Sequence, residues 1–254
     1  MQLSVVIITR NEAHIIENTL QSLQGLTDDI VIVDSGSTDD TIAICKKFNC
    51  LIIETSWDGY GPNKNKGIDA AKYNWILNID ADEAIDDELR SSLMQLDTSD
   101  DGTVFEASFR NFFCGKQIRF GEWSGDKHVR LFNRKKVKWN DAAVHEALLM
   151  PENVQVKKLK GNILHHTTHS IEEHIKKTNA YAQLNAEKYF RQNKKATFFK
   201  LRLAPGFNFI QHYLLRLGFL DGWEGYFIAK TTAWYTFLKY SYLKEMNKKS
   251  KKFQ

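Results

Sequence analysis

The chain opens on an apolar run, residues 3–8, broken only by Ser4. Such a run predicts a strand buried on both faces. Behind it, in TRNEAHIIENTLQSL, Ala13, Ile16, Leu20 and Leu23 recur at helical spacing, and Asn11 stands in an N-cap position. The scheme then repeats. Residues 30–33 predict a second strand, DSGS a turn, and Ser37 with Asp40 a capping box leading into a second helix. Leu51–Glu54 reads as a third strand, residues 64–71 as a helix, YNWILNID as a fourth strand, and residues 86–96 as a polar helix. Strands alternating with helices at this spacing predict βαβ units, a largely parallel sheet and an α/β fold.

After Asp97 the pattern changes. TVFEASFRNFF and KHVRLFN predict strands with no helix between them, a mixed or antiparallel extension of the sheet. Residues 170–190 form a long helix candidate with Ser170 and Glu173 at its start. Residues 198–243 are rich in Phe, Tyr, Trp and Leu, interrupted by Arg216, Asp221, Glu224, Lys230 and Lys239. The organisation expected is a domain over residues 1–190, in two parts that meet at about residue 97, followed by a helical, basic, aromatic extension over 191–254. With 43% hydrophobic and 26% charged residues in 254, the chain can bury a sizeable core. The net charge of +4 hides an asymmetry: residues 188–254 carry 14 Lys and Arg against 3 Asp and Glu, the rest 21 against 28. Three cysteines without metal-type spacing suit a reducing compartment. MQLSVVIITRNEA lacks a basic leader and reads as a first strand, and no run of 18 apolar residues predicts a membrane span.

In a doubly wound sheet, ligands sit outside the carboxyl ends of the strands. Three predicted strand ends carry polar clusters: Thr9-Arg10-Asn11-Glu12, Asp34-Ser35-Gly36-Ser37 and Asp80-Ala81-Asp82. No GxGxxG follows the first strand and no GxxxxGK[ST] occurs, which argues against dinucleotide dehydrogenases and P-loop enzymes. Asp34 either accepts a hydrogen bond from a base or ribose or merely shapes a turn. Asp80 and Asp82, alternate residues at a strand end, can both reach one divalent cation. Mg²⁺ or Mn²⁺ suits such oxygens and bridges to phosphates, which would relieve the repulsion within LNIDADEAID. The competing reading is an acidic helix start, since Asp86, Asp87 and Glu88 follow. LHHTTHS lacks the further ligands of a zinc site and reads as a polar loop between strand and helix.

Together, VVIITRNE, IVIVDSGSTDDT, GPNKNKGIDAA and WILNIDADE resemble the successive motifs of family 2 glycosyltransferases, which have the GT-A fold. GEWSGDKHVRLFNR, VHEAL and LRLGFLDGWEGYFIA are similar to the subfamily of lipopolysaccharide core glucosyltransferases. The resemblance covers nearly the whole chain. It implies inverting transfer from a nucleotide sugar, usually a UDP-sugar. Thr9, Arg10 and Glu12 would lie along the nucleotide, Asp34 at the base, Lys64 near the diphosphate or uracil, and Asp80 with Asp82 as the metal-associated DxD.

Inversion needs an acceptor hydroxyl, a carboxylate to take its proton, and neutralisation of the departing diphosphate. Glu122, Asp126 and Glu146 are candidates for the base. Asp126 is preferred because related enzymes place a base after a Trp- and Gly-rich loop; Glu146 is the alternative. His145 could complete the metal shell or hold the diphosphate, and Arg130 could do the latter. The basic, aromatic tail reads as a membrane-surface element, with Trp223, Trp234, Tyr226, Tyr235, Tyr240 and Tyr242 at headgroup level. Its alternatives are a hairpin packed on the catalytic domain or a homodimer interface. No nucleic-acid-binding module accompanies its charge. The expected protein moves a hexose, glucose foremost, from a UDP-sugar to a lipopolysaccharide inner core or other lipid-linked glycan. It would sit peripherally on the cytoplasmic face of a bacterial inner membrane. A polyprenyl-phosphate acceptor, or a non-catalytic nucleotide-sugar scaffold, is the competing expectation.

Overall fold

The computed structural model of the chain describes residues 2–140 and 147–250. Its internal contacts divide it into two units, Met1–Phe109 with Asp126–His165, and Arg110–Gly125 with His166–Gln254. The expected boundary at residue 190 therefore falls inside the second unit.

The elements begin β1 (Leu3–Thr9), α1 (Ile16–Ser22), β2 (Ile30–Asp34), α2 (Thr41–Lys47), β3 (Leu51–Glu54), α3 (Tyr60–Ala70) and β4 (Trp75–Asp80). They continue β5 (Glu83–Ile85), α4 (Asp87–Met94), β6 (Thr103–Phe113), β7 (Lys116–Ile118), β8 (Lys127–Asn133), β9 (Lys138–Trp139), β10 (Leu148–Leu149) and β11 (Gln155–Thr168). The helices α5 (Ile171–Arg191), α6 (Phe198–Arg202), α7 (Ala204–Ile210) and α8 (Gly222–Ser250) complete the chain.

In the first unit the main sheet runs β3-β2-β1-β4-β8-β6-β11-β5. The first four strands are parallel, and β8 joins β4 antiparallel. Pattern and core agree. On β1, Leu3, Val5 and Ile7 enter one cluster with Ile16 and Leu20 of α1, Cys45 of α2 and Leu89 and Leu93 of α4. Val6 points the other way, into a cluster with Val31, Ile76, Phe132 and Ile68 of α3. The period-two alternation of a strand thus fills both faces, which is why β1 shows no polar alternation. Each fully buried aliphatic side chain contributes about 1.5–3 kcal/mol. Gly67 lets α3 approach: a Cβ there would lie 2.5 Å from Val6 Cγ1 and 2.8 Å from Val33 Cγ2.

Two expected caps are corrected. Asn11 adopts φ 57° and its Oδ1 accepts from Thr38 N at 2.7 Å, so it ties two loops together and α1 starts only at Ile16. Ser37 does not cap α2; its hydroxyl donates to Asp34 and accepts from Asn11 N. Asp39, not Ser37, accepts from Thr41 N, at 3.1 Å. Polar loop groups here serve the strand ends before they serve the helices. The cluster LHHTTHS is corrected as well. His165 and His166 lie on β11, a 14-residue strand.

In the second unit, Ser170 Oγ accepts from Glu173 N at 3.1 Å and the Glu173 carboxylate accepts from His169 N at 2.8 Å, the expected start of α5. Helices α5 and α8 pack along each other, with Tyr189 and Tyr240 rings 6.3 Å apart. Asp221 accepts from the backbone N–H groups of Arg119 and Phe120, at 3.0 and 2.8 Å. Gly225 of α8 lies so close to Gly218 that a Cβ would meet its carbonyl oxygen at 1.9 Å. The tail motif LRLGFLDGWEG thus fixes the loop after β7. No helix of the described residues is long and apolar enough to cross a membrane.

Candidate active site

Strand pairing aligns three of the expected positions. Thr9 pairs with Asp34, and Ile8 with Asp80, so Thr9, Asp34 and Asp80 end three adjacent parallel strands. Asp34 is buried. Its Oδ2 accepts from Gly36 N and Ser37 N at 2.9 and 2.8 Å, and its Oδ1 from the Ser37 hydroxyl. It therefore shapes its own turn, as the simpler reading held, with lone pairs to spare. Arg10 is exposed beside it. Glu12 anchors the loop through its backbone N–H, which donates to Thr41 Oγ1 at 2.9 Å.

Helix α3 reaches the same strand ends through consecutive residues. Asn63 Nδ2 donates to Ser35 Oγ at 2.9 Å. Lys64 is 2% exposed, 3.3 Å from Asp80 Oδ1, with its Nζ 4.6 Å from the centre of the Trp139 ring. That aromatic face offsets part of the cost of burying an ammonium. Asn65 exchanges hydrogen bonds with the Trp139 backbone at 2.9 and 3.1 Å. Pro62 falls in the first turn, where its missing N–H costs nothing.

Arg130 of β8 arrives from the antiparallel side. Its Nη2 lies 3.2 Å from Asp80 Oδ2 and donates a short hydrogen bond to Glu83. Asp80 thus sits between two buried cations. Burial alone would raise its carboxyl, but Lys64 and then Arg130 outweigh this and hold it well below the usual carboxylate range. Glu83, 1% exposed, is pushed up to about 7 by burial, with Arg130 opposing and Asp80 adding to the rise. The protein's own cations, rather than a metal alone, offset the repulsion at Asp80.

Asp82 faces a different partner. Its Oδ2 is 3.5 Å from His165 Nε2, because β11 pairs with β5 and sets His165 opposite Glu83. Burial would lower the His165 pKa; the hydrogen bond and charge of Asp82, with Glu83 and Asp80, outweigh it and raise it. The Phe109 ring lies among these groups, edge-on to His165 at 6.1 Å and to His128 at 5.1 Å, with the Arg130 guanidinium 5.3 Å from its centre. Asp126 precedes β8, after Gly125 at φ 77°, and its carbonyl accepts from Phe109 N at 3.0 Å. His145 and Glu146 lie outside the described residues. Glu122 accepts a short hydrogen bond from Thr232, a structural engagement within the second unit.

Thr9 Oγ1, Asn78 Oδ1 and Arg130 Nε are buried with no hydrogen-bond partner among the described residues. Thr9 ends β1, and Asn78 and Arg130 lie within β4 and β8; buried polar atoms left without partners are what a polar ligand can complete. Among the described residues no group of three or more His, Cys, Asp or Glu could hold a metal ion alone. Asp82 and His165 offer a carboxylate and an imidazole. That pair fits Mg²⁺ or Mn²⁺, which commonly takes one or two protein ligands and the rest from phosphate and water. His165 and Glu83 are the residues sequence reasoning left without a role. The signal for His165 was its place two residues after Ile163, on the same side of a strand.

Comparison with known proteins fits this geometry. The chain is 30% identical over 245 residues to the lipopolysaccharide core biosynthesis glycosyltransferase LpsC of Rhizobium meliloti (strain 1021), covering 94% of this chain and 90% of that one. It is 28% identical to the uncharacterized glycosyltransferase RP128 of Rickettsia prowazekii (strain Madrid E), over 98% of this chain and 89% of the relative. Among solved structures, S. aureus TarS aligns with a TM-score of 0.47 and 16% identity, over 91% of this chain and 55% of TarS. The mixed α/β sheet is the GT-A fold that the motifs imply. The sequence profile of glycosyl transferase family 2 matches residues 4–155, and the chain belongs to that family.

Proposed function

We propose that this glycosyltransferase moves a hexose, glucose foremost, from a UDP-sugar to the inner core of lipopolysaccharide or another lipid-linked glycan, with inversion. The observation that carries the reading is Asp80 kept ionised by Lys64 and Arg130 at the ends of the parallel strands, with Asp82 and His165 beside it. So many buried charges cost stability and are retained where they do chemistry.

Thr9, Arg10, Glu12 and Asp34 hold the nucleoside, with the Thr9 hydroxyl and the remaining lone pairs of Asp34 turned to base or ribose. Asp80 accepts from the ribose or donor sugar. Lys64 and Arg130 stabilise the diphosphate as its charge grows. Asp82 and His165 would hold a divalent cation, Mg²⁺ or Mn²⁺, whose charge adds to that neutralisation, with His145 kept as a further candidate ligand. Asp126 receives the proton of the attacking acceptor hydroxyl, which bonds to the anomeric carbon as the bond to the diphosphate oxygen breaks. One in-line displacement gives inversion. The similarity to LpsC supports the acceptor class. The placement that goes with it is the cytoplasmic face of the inner membrane.

The test is a panel of UDP-sugars with a lipopolysaccharide core acceptor, with the anomeric configuration of the product read by NMR. Asp126→Asn should lower kcat by about 10²–10⁴ with UDP affinity nearly unchanged. Equal turnover in that variant moves the base role to Glu146. His165→Ala should weaken Mn²⁺-dependent stabilisation of the UDP complex; an unchanged Mn²⁺ titration would exclude it as a ligand.

A further inference from the structure

The long helix α8 carries only part of the apolar surface that the composition of the tail suggests. Its Tyr235 and Lys239 are packed against α5, and burial pushes the Tyr235 phenol up to about 12. Exposed apolar side chains occur on it at Trp223, Tyr226 and Trp234, and in greater number just before it. Helices α6 and α7 and a π-helical turn, Gln211–Leu215, follow one another with Leu203 and Gln211 both in the right-handed helical region. Along them Phe199, Leu203, Phe207, Ile210 and Leu214 recur at intervals of 4, 4, 3 and 4 residues. That spacing puts them on one stripe. Phe199 is 69% exposed, Phe207 63%, and the other three lie between 47% and 57%.

The opposite side already has its partner, since the Phe209 and Tyr213 rings pack on Tyr226 of α8 at 5.9 and 5.6 Å. The apolar stripe is thus the face left over, the reverse of an ordinary surface helix.

Charge says what covers it. Residues 188–220 hold seven Lys and Arg and no Asp or Glu. Lys200, Arg202 and Arg216 are exposed on or beside the stripe. A second copy seated on this face by two-fold symmetry would bring like charges together. An anionic lipid surface offers apolar depth for the stripe and negative headgroups for its flanks.

We propose that residues 198–220 form an interfacial insertion element. The stripe from Phe199 to Leu214 would enter the acyl boundary of an anionic bilayer while Lys200, Arg202 and Arg216 bind its headgroups. The inference rests on the lipid-linked acceptor proposed above and assigns the contact to this segment rather than to α8.

The test is sedimentation of the full chain with phosphatidylcholine vesicles, with and without phosphatidylglycerol. Helix content is followed by circular dichroism and mass by light scattering. Wild type should pellet with the anionic vesicles. Phe199→Ser with Phe207→Ser and Leu214→Ser should weaken binding at least tenfold, on the order expected for apolar burial. Lys200→Glu with Arg202→Glu should lose at least about thirtyfold on anionic vesicles alone. If the triple variant loses helix content, the single variants Phe199→Ser and Phe207→Ser carry the same comparison. Wild type remaining in solution, a stripe variant binding as tightly as wild type, or a dimer that the stripe variant dissociates would each overturn the assignment. UDP-sugar hydrolysis without vesicles tests the catalytic reading separately. Its absence beside intact vesicle binding sinks that reading and spares this one.

Discussion

Arg130 joins stability and chemistry in one side chain. It is 7% exposed, bonded to Glu83 and 3.2 Å from Asp80. Removing one member of a buried ion pair costs about 3–5 kcal/mol, because the other charge is left without compensation. Burial already raises the Glu83 carboxyl and loss of Arg130 raises it further, so Glu83 can take up a proton, which holds the loss near the low end of that range. Arg130→Met should therefore lower the urea midpoint clearly at neutral pH, and Glu83→Gln added to it should recover part of the loss. A single variant as stable as wild type would show that the pair is not built as described. The sequence made some of this visible and hid the rest. Asp80 and Asp82 announce themselves because alternate carboxylates behind an apolar strand are costly. Arg130 could be named but not placed, and His165 looked like loop, because both depend on pairing between strands remote in sequence. No local pattern states that β11 will pair with β5.

Elements were more legible than residues. β3 and β8 fall where their apolar and β-branched runs predict, and α5 begins at its capping pair. The two corrected caps, Asn11 and Ser37, share a cause: each side chain could serve a helix or a neighbouring loop, and only the fold decides. Helix α3 is the element on which the first unit's site depends, since Asn63, Lys64 and Asn65 act from consecutive positions. Gly67 sets how near it lies. Gly67→Ala gains up to about 1 kcal/mol of helix propensity. The added Cβ would press on two branched valines whose atoms cannot swing away, an overpacking cost of about 1–3 kcal/mol. The net should be a lower melting temperature, and UDP affinity should fall with it as Lys64 shifts; a gain in stability would show that α3 can back away from β1.

The start of α5 carries a pH signature. Burial would raise the Glu173 carboxyl, but Lys177, the His169 N–H and the Thr168 hydroxyl outweigh it and hold the pKa near about 2. The other titratable groups facing it are His174 and the Cys114 thiol. A depressed carboxyl contributes stability that is complete above its unfolded pKa of about 4.5 and is lost as pH falls through that value toward about 2. Glu173→Gln should therefore cost stability in full at about pH 6, part of it at about pH 3 and little at about pH 2, read from urea unfolding at each pH. A gap between variant and wild type that stays constant would assign the effect of Glu173 to packing instead.

At the scale of the whole molecule, the sequence splits into an acidic majority and a basic end. The membrane contact proposed for the basic end drew on composition alone at the level of sequence. Which part of it is exposed depends on α8 packing along α5, which leaves most of the exposed apolar side chains on the segment from α6 to Leu220. Catalysis by such a protein should depend on how its acceptor is presented. An enzyme held on a surface meets a lipid-anchored acceptor at the surface's local concentration, whereas a delipidated core oligosaccharide is met from bulk solution. The stripe variant Phe199→Ser with Phe207→Ser and Leu214→Ser touches none of the groups assigned to donor or acceptor chemistry. Its kcat/KM for acceptor embedded in anionic vesicles should fall by at least about tenfold, tracking its lost vesicle affinity. Its kcat/KM for the delipidated oligosaccharide should match wild type. Raising the salt should narrow the wild-type advantage on vesicles, since screening weakens the contribution of the lysines and arginines first. An equal loss on both acceptors would mean that the stripe supports the fold or the acceptor site itself, and that surface capture is not what residues 198–220 contribute.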